Sequence, residues 1–287
     1  MKVAIVGGKG FIGKPVAEVL SKEHEVDIWD LPEVDVRNPE TIRVRFDRFL
    51  PEVVINLAGI LGGLSSSEIR ELLEVNFVGN LNVLDESARR GVKRFIFASS
   101  LTVHGTNQPE SPNRLDSPFR PIHAYGAGKA SSEFVLQEYA RRFNMVTVAV
   151  RPTMVLGNTA VPHAFIEFVK AALKKEDIVI YGSGDHEREW IWIADAVEGF
   201  RRALNFSLSA DPGYYPFFLS GNRIRMKDLA KRAAELLGGQ VRFVESNAKA
   251  FTLTCDTEES ERALGWKAGT SIDQMIVNLA EIFGTKN

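Results

Sequence analysis

The chain has 287 residues, 45% of them hydrophobic and 25% charged, with 35 basic against 37 acidic side chains and a formal net charge of −2. This reads as an ordinary soluble globular protein, long enough to bury a sizeable core as one large α/β domain or two lobes, and it excludes a basic nucleic-acid-binding arm. One cysteine, Cys255, excludes an internal disulfide and a cysteine-cluster metal site, and no stretch reaches the roughly 18 apolar residues of a membrane span. The chain enters its first strand without a leader-like segment, so the expectation is a cytoplasmic protein with no membrane and no nucleic-acid partner.

The first element is the β-branched run Val3-Ala4-Ile5-Val6, followed by glycines at 7, 10 and 13 and then by a helical pattern through Val16, Ala17, Val19 and Leu20. A strand, a tight turn and a helix N-terminus in that order bring backbone N–H groups and the positive helix end to one point, where a pyrophosphate can sit. Asp30 closes the next strand-like run, Val26-Asp27-Ile28-Trp29, 17 residues beyond Gly13. A carboxylate there accepts hydrogen bonds from an adenosine ribose and repels a 2′-phosphate, and Leu31-Pro32-Glu33 supply no arginine to receive one. The pattern favours NAD over NADP, the alternative being a solvated turn aspartate.

Strand-like and helix-like segments then alternate, as in a doubly wound parallel sheet. Val34-Asp35-Val36 precedes a helix starting near Pro39, Glu52–Leu57 ends in Ala58-Gly59, and residues 68–90 read as one long amphipathic helix. Arg94–Ala98 is a buried strand running into Ser99-Ser100, residues 123–143 are a second long helix, and Val146–Val150 is another strand. Since ligands bind at the carboxyl ends of such strands, residues 56–59, 99–105 and 151–157 are expected to face one cleft. Beyond residue 152 the pattern loosens into helices near 162–174, 195–205, 226–237 and 271–283, with strands at 178–181 and 241–243 and a turn at Gly182-Ser183-Gly184. The expected organisation is a Rossmann-type dinucleotide-binding domain of residues 1–155 plus about 189–222, with a smaller mixed α/β substrate lobe of about 156–188 plus 223–287.

Tyr125 and Lys129 stand at i and i+4 on one helix face. A phenol, with its ordinary pKa near ~10, is a poor base at neutral pH, but a nearby cation favours the phenolate. Tyr125 can then take a proton from a substrate hydroxyl while hydride leaves the same carbon, with Ser100 bonding that oxygen. The plain alternative is a helix-surface pair.

These stretches together resemble an extended short-chain dehydrogenase/reductase of the NAD-dependent epimerase/dehydratase family, over nearly the full length. Those that carry the resemblance are Gly7 to Gly13, Asn56-Leu57-Ala58-Gly59, Val75 to Leu84, Ala98-Ser99-Ser100, Tyr125 with Lys129, Arg151-Pro152-Thr153, Arg188 to Val197 and Leu264-Gly265-Trp266-Lys267. The resemblance implies that Gly7, Gly10, Phe11, Ile12 and Gly13 line the pyrophosphate, Asp30 binds the ribose, and Asp35 and Val36 flank the adenine. It implies Leu57, Ala58 and Gly59 beneath the dinucleotide, Asn76 positioning it, and Ser99, Arg151 and Pro152 on the cofactor side with Tyr125 and Lys129. Ser100, Tyr125 and Lys129 carry the chemistry, and Ser100, Thr102 and Arg188 meet the substrate. Arg188 matches an arginine that contacts substrate phosphates in nucleotide-sugar epimerases, the alternative being a surface pair with Glu187 or Glu189. It also implies a homodimer, with helices 68–90 and 123–143 paired across a two-fold axis, the alternative being simple packing of those helices on the sheet.

Departures from the family pattern narrow the reaction. Leu101 and Thr102 replace the acidic pair of the dehydratases, so water expulsion is not expected. His104 replaces a tyrosine, as a second acid/base or as a packed side chain. Residues 244–252 lack the arginine that many nucleotide-sugar enzymes carry there, unless Lys249 takes its place. His24, His123, His163 and His186 show no metal-ligand spacing. The leading expectation is an NAD-dependent nucleotide-sugar epimerase acting at C4. The alternatives are an NAD-dependent dehydrogenase of a free sugar, uronic acid or other small alcohol, and a non-catalytic NAD-binding regulatory protein.

Overall fold

The computed structural model describes residues 1–62, 65–107, 111–159, 163–246 and 250–284. Its elements in chain order are β1 (Lys2–Val6), α1 (Gly13–Leu20), β2 (Glu25–Trp29), α2 (Pro39–Arg48), β3 (Val53–Asn56), α3 (Ser66–Leu73), a π-helical turn (Glu74–Gly79), α4 (Asn80–Arg89) and β4 (Arg94–Ala98). A 3₁₀ turn (Leu101–Val103) leads through a loop to α5 (Ala124–Phe143), β5 (Val146–Pro152), β6 (Met154–Leu156), α6 (Ala164–Leu173), β7 (Asp177–Tyr181) and β8 (Glu187–Trp192). The chain ends with α7 (Ile193–Ser209), β9 (Gly213–Leu219), β10 (Asn222–Arg225), α8 (Met226–Leu237), β11 (Gln240–Val244), α9 (Glu258–Leu264) and α10 (Ile272–Gly284).

Six parallel strands form the central sheet, in the order β2-β1-β3-β4-β5-β9. Alternation along β1 explains why both faces are covered. Val3 and Ile5 enter one core with Val16 and Leu20 of α1 and Phe200 and Leu204 of α7, while Ala4 and Val6 enter the other with Phe46 of α2, Val83 of α4 and Leu136 of α5. A third core joins α6, α8 and α10 around Phe165, Trp190, Leu229 and Ile276. It lies beside the three-stranded sheet β10-β8-β6 and the parallel pair β11-β7. Between β6 and β8 the chain makes α6 and β7, then returns through α7 and β9 to the central sheet. No helix among the described residues is long and apolar enough to cross a membrane.

The helix expected over 68–90 is interrupted by the π turn. Ser132 of α5 donates to the Asn76 carbonyl at 3.0 Å, occupying an acceptor that α-helical pairing would use. A Cβ on Gly79 would lie 2.5 Å from Val36 Cγ2, so the turn is pressed against the loop after β2. Also absent from the sequence reading were α9 and β6, β8, β9 and β10, strands whose partners lie far along the chain.

The turn after β1 is tight enough to demand glycine. Gly7 has φ of 75°, and a Cβ on Gly13 would lie 2.0 Å from the Gly7 carbonyl oxygen. Gly13→Ala is therefore expected to destabilise the fold by about 1–3 kcal/mol, the scale of overpacking, and to weaken dinucleotide binding. Denaturant unfolding with and without NAD checks both.

Candidate active site

At the carboxyl ends of β1, β2 and β3 lies a cavity of about 340 Å³. Gly7, Gly10, Asp30, Asp35, Val36, Leu57, Ala58 and Gly59 all line it, so the structure brings together eight of the residues expected to hold the cofactor. A Cβ on Gly7 would stand 2.6 Å from the Ala58 amide nitrogen, which brings the two loops into direct contact. Gly10 is exposed at the turn, and no side chain caps α1. A backbone cradle at an uncapped helix N-terminus, with a carboxylate one strand away, fits a dinucleotide. Phe11 lies outside the cavity lining, its ring against Gly157, and Gly13 is buried under the turn.

Asp30 accepts the Lys9 amide at 2.7 Å and the Leu31 amide at 2.8 Å. A carboxylate has about four acceptor positions, so two remain for a ribose. The Lys9 ammonium is held by Glu33 and the Leu31 carbonyl, both at 2.9 Å. Asp35 is clasped by Arg37, whose guanidinium holds the carboxyl below its usual range. Asn76 serves the cavity indirectly. Its amide is spent on both backbone groups of Ile60, at 2.9 and 2.8 Å, so it shapes a loop that lines the cavity.

Tyr125 and Lys129 lie on the first turns of α5, which starts with His123 Nδ1 accepting the Gly126 amide at 3.1 Å. Gly126 lets this helix approach Ser100, because a Cβ there would lie 2.7 Å from the Thr102 carbonyl oxygen. The Thr102 amide and hydroxyl both bond Ser100 Oγ, at 3.2 and 2.9 Å. With Thr102 donating, the serine's own proton points elsewhere, and Tyr125 is its neighbour. Thr102, expected at the substrate, thus acts on Ser100.

The expectation that the lysine, together with the positive nicotinamide ring, favours the phenolate meets a strong opposing effect of burial. Burial pushes the Tyr125 hydroxyl up to about 12, with only the Ser100 hydrogen bond pulling it down, although the residue as a whole is part-exposed. Burial also pushes Lys129 down to about 7, against Glu133, which raises it. Its ammonium donates to the Ala98 carbonyl at 2.8 Å.

Two residues placed on the cofactor side by resemblance turn away from it. Ser99 donates to Glu133, and the Arg151 guanidinium, 1% exposed, makes a two-pronged ion pair with Glu133 at 2.7–3.1 Å. The reason is that Glu133 is fully buried and a carboxylate there requires donors. Pro152 is buried beside Arg151 in β5. Arg151 also bonds His104 Nε2 at 2.9 Å, and burial pushes His104 down to about 4, with the arginine acting in the same direction. His104 is a neutral, packed acceptor and no acid/base. Glu133 and Tyr214 were missed in the sequence, although Glu133 continues the Tyr125–Lys129 face by one more turn.

Arg188 makes neither of its alternative pairs. Glu189 bonds Arg223 at 3.0 Å and Glu187 lies 3.9 Å from Arg225. The Arg188 guanidinium stacks on Phe251, 4.3 Å from the ring centre, and donates to the carbonyls of Glu187 and Phe251. Burial lowers it to about 10, and among the described residues no carboxylate forms an ion pair with it. Lys249 lies outside the described residues. Among the described residues no cluster of side chains could hold a metal.

Fold and site together define a dinucleotide-dependent enzyme of the extended short-chain type. Residues 3–214 match the model of the NAD dependent epimerase/dehydratase family, and the chain belongs to that family. It is an enzyme that uses NAD. The UDP-N-acetyl-alpha-D-glucosaminuronate decarboxylase of Bacillus cytotoxicus is 31% identical over 72% of each chain. The D-erythronate dehydrogenase of Haemophilus influenzae is 26% identical over 98% of this chain and 99% of its own. A crystal structure of UDP-glucose 4-epimerase with UDP-glucose from Thermotoga maritima has the same fold, with a TM-score of 0.86 at 23% identity over 99% of each chain.

Replacing Asp30 by Asn together with Leu31 by Arg exchanges repulsion of a 2′-phosphate for attraction. The ratio of NADP to NAD affinity should rise at least about tenfold, or 1.4 kcal/mol, in direct titrations.

Proposed function

We propose that the protein is an NAD-dependent epimerase of a nucleotide-linked sugar, acting at C4 through a transient keto sugar. The observation that carries this reading is the convergence of Ser100, Tyr125 and Lys129 beside the dinucleotide cavity, with Leu101 and Thr102 where a dehydratase needs acids. The backbone of the Gly7–Gly13 turn, which includes Phe11 and Ile12, holds the pyrophosphate, with Gly7 and Gly10 at the cavity wall and Gly13 buried beneath; Asp30 holds the ribose, and Asp35 and Val36 the adenine. Residues 1–155 and about 189–222 form the cofactor lobe, and the rest covers the substrate.

NAD held by the Gly7–Gly13 turn and Asp30 would supply the hydride acceptor, and in its reduced form the hydride donor. Tyr125 accepts the proton of the substrate hydroxyl and later gives it back. Ser100, its acceptor positions occupied by Thr102, donates to the reacting oxygen in both directions. The charge of Lys129, together with the cationic ring of the oxidised cofactor, lowers the cost of the Tyr125 phenolate from its high resting value. Arg188 supplies a desolvated cation with no carboxylate partner among the described residues, which suits a diphosphate. The exposed apolar side chains Ile69, Val78, Phe134 and Phe143 on the two long helical segments support a homodimer.

A second reading, an NAD-dependent dehydrogenase of a free sugar or sugar acid, is favoured by the lack of arginine in residues 244–252. The near full-length likeness to D-erythronate dehydrogenase also supports it. Incubation with NAD and a panel of UDP-sugars separates the two. Epimerised sugar without net NADH is expected, whereas stoichiometric NADH from an unlinked sugar establishes the second reading.

Tyr125→Phe should lower turnover by about 100-fold or more with NAD affinity unchanged, since the ring still packs but exchanges no proton. Retention of a tenth of the activity removes Tyr125 from this role.

Arg188→Ala should weaken binding of UDP, measured by calorimetry, by about 1.5–3 kcal/mol, the scale of hydrogen bonds to charged groups, with NAD binding unaffected. If UDP does not bind and the variant is fully active, the nucleotide-sugar reading falls.

A further inference from the structure

Lys129 is enclosed by neutral groups on most sides. Its ammonium bonds the Ala98 carbonyl and lies 4.7 Å from the centre of the Phe97 ring and 5.7 Å from that of Tyr125. The Asn76 side chain and the Lys129 ammonium both approach Gly59, α3 approaches α5 through Leu73 against Gly128, and further along α5 Tyr139 bonds Asp85 of α4. One helical turn after Lys129 stands Glu133, wholly buried and on the same face. Its partners come from three strands: Ser99 at the end of β4, Arg151 from β5 and the Tyr214 hydroxyl from β9.

The charges in this cluster do not balance. An arginine nitrogen can only donate, so His104 Nε2 accepts from Arg151 and the ring proton sits on Nδ1, facing the Pro118 carbonyl at 3.4 Å. His104 is therefore neutral, and one carboxylate serves two cations. A guanidinium does not give up its proton in a protein, so the surplus charge can be shed only from Lys129.

We propose that Glu133, locked in place by Arg151, Tyr214 and Ser99, is the positioning residue that keeps Lys129 charged beside Tyr125. This rests on the reading of Tyr125 and Lys129 as the catalytic pair and of the adjoining cavity as the NAD site. Burial draws Lys129 toward its neutral form in the physiological range, and the Glu133 carboxylate opposes that pull. Arg151 anchors the carboxylate at the distance from which it acts. The protonation of the lysine is thus set from behind the site, by a group that meets neither substrate nor cofactor.

The test needs no substrate. The nicotinamide ring is cationic in NAD and neutral in NADH, so a charged Lys129 next to it favours the reduced form. The ratio of the two dissociation constants can be followed from weakly acid to weakly alkaline pH by quenching of tryptophan fluorescence, since Trp29 borders the cavity. In the wild type the preference for NADH should fall as pH rises through the titration of Lys129. In Glu133→Gln the midpoint should move to lower pH by about one unit or more, the effect of an opposite charge at ~4–6 Å. The double variant Glu133→Gln with Arg151→Gln leaves no unpaired buried charge, which protects folding, and should move the midpoint in the same direction. A purely structural role would lower stability and weaken both cofactor forms equally, with the midpoint unmoved. That result in a folded variant overturns the proposal. Lys129→Met should abolish the pH dependence, and a midpoint that survives it overturns the catalytic-pair reading instead.

Discussion

The fully buried ion pair between Glu133 and Arg151 ties together the elements on which the site is built. One carboxylate joins β4, β5, β9 and α5, and the guanidinium opposite it extends to His104 and to the Leu115 carbonyl in the loop between Ser100 and Tyr125. Pairs of this kind gain little net stability, because desolvation of two charges offsets their attraction, but breaking one side leaves an orphan charge at a cost of about 3–5 kcal/mol. The elements that carry the serine, the tyrosine and the lysine are thereby held in a single arrangement.

A second constraint is close approach of backbone. Gly7 lies against Ala58, Gly13 against Gly7, and Gly126 against Thr102, in each case at a separation that excludes a Cβ. The first two contacts stack the turn after β1 on the loop after β3. The third sets α5 against the 3₁₀ turn that begins at Ser100. Glycine here acts by removing volume between two pieces of main chain, and the site occupies the space so defined.

The amino-acid pattern made the nucleotide half of the molecule legible because its signals are local. A β-branched run, glycines at fixed offsets and an aspartate one strand later lie within 30 residues. The helix face that carries Tyr125 and Lys129 was equally readable, as a phenol and an ammonium one turn apart. What stayed hidden depends on partners distant in the chain. The inward turn of Arg151 and Ser99 follows from Glu133, whose acidic letter on a helix normally means a solvated face. The neutrality of His104 follows from an arginine 47 residues away. The break in the helix over 68–90 comes from Ser132 and Val36, which no periodicity within 68–90 encodes. β9 and β10 were missed for the same reason, since their partners, β5 and β8, lie far away in the chain.

The last strand of the central sheet has a consequence for how the molecule is assembled. β5 and β9 pair in register, Val146 with Gly213 through Pro152 with Leu219, but the chain first leaves the sheet to make β6, α6, β7 and β8. The bridge between Asn113 and Cys255 spans a still longer loop. Such separations slow folding, because the entropy of loop closure is lost before the contact forms. Strands β1 to β4 pair with partners close in the chain, but the face that carries Val3 and Ile5 is covered only once α7 has been made. Tyr214, and with it the full set of donors around Glu133, arrives only when three quarters of the chain has been made. The residues that line the cavity are thus synthesised well before the last donor to Glu133, and the two meet only in the finished sheet.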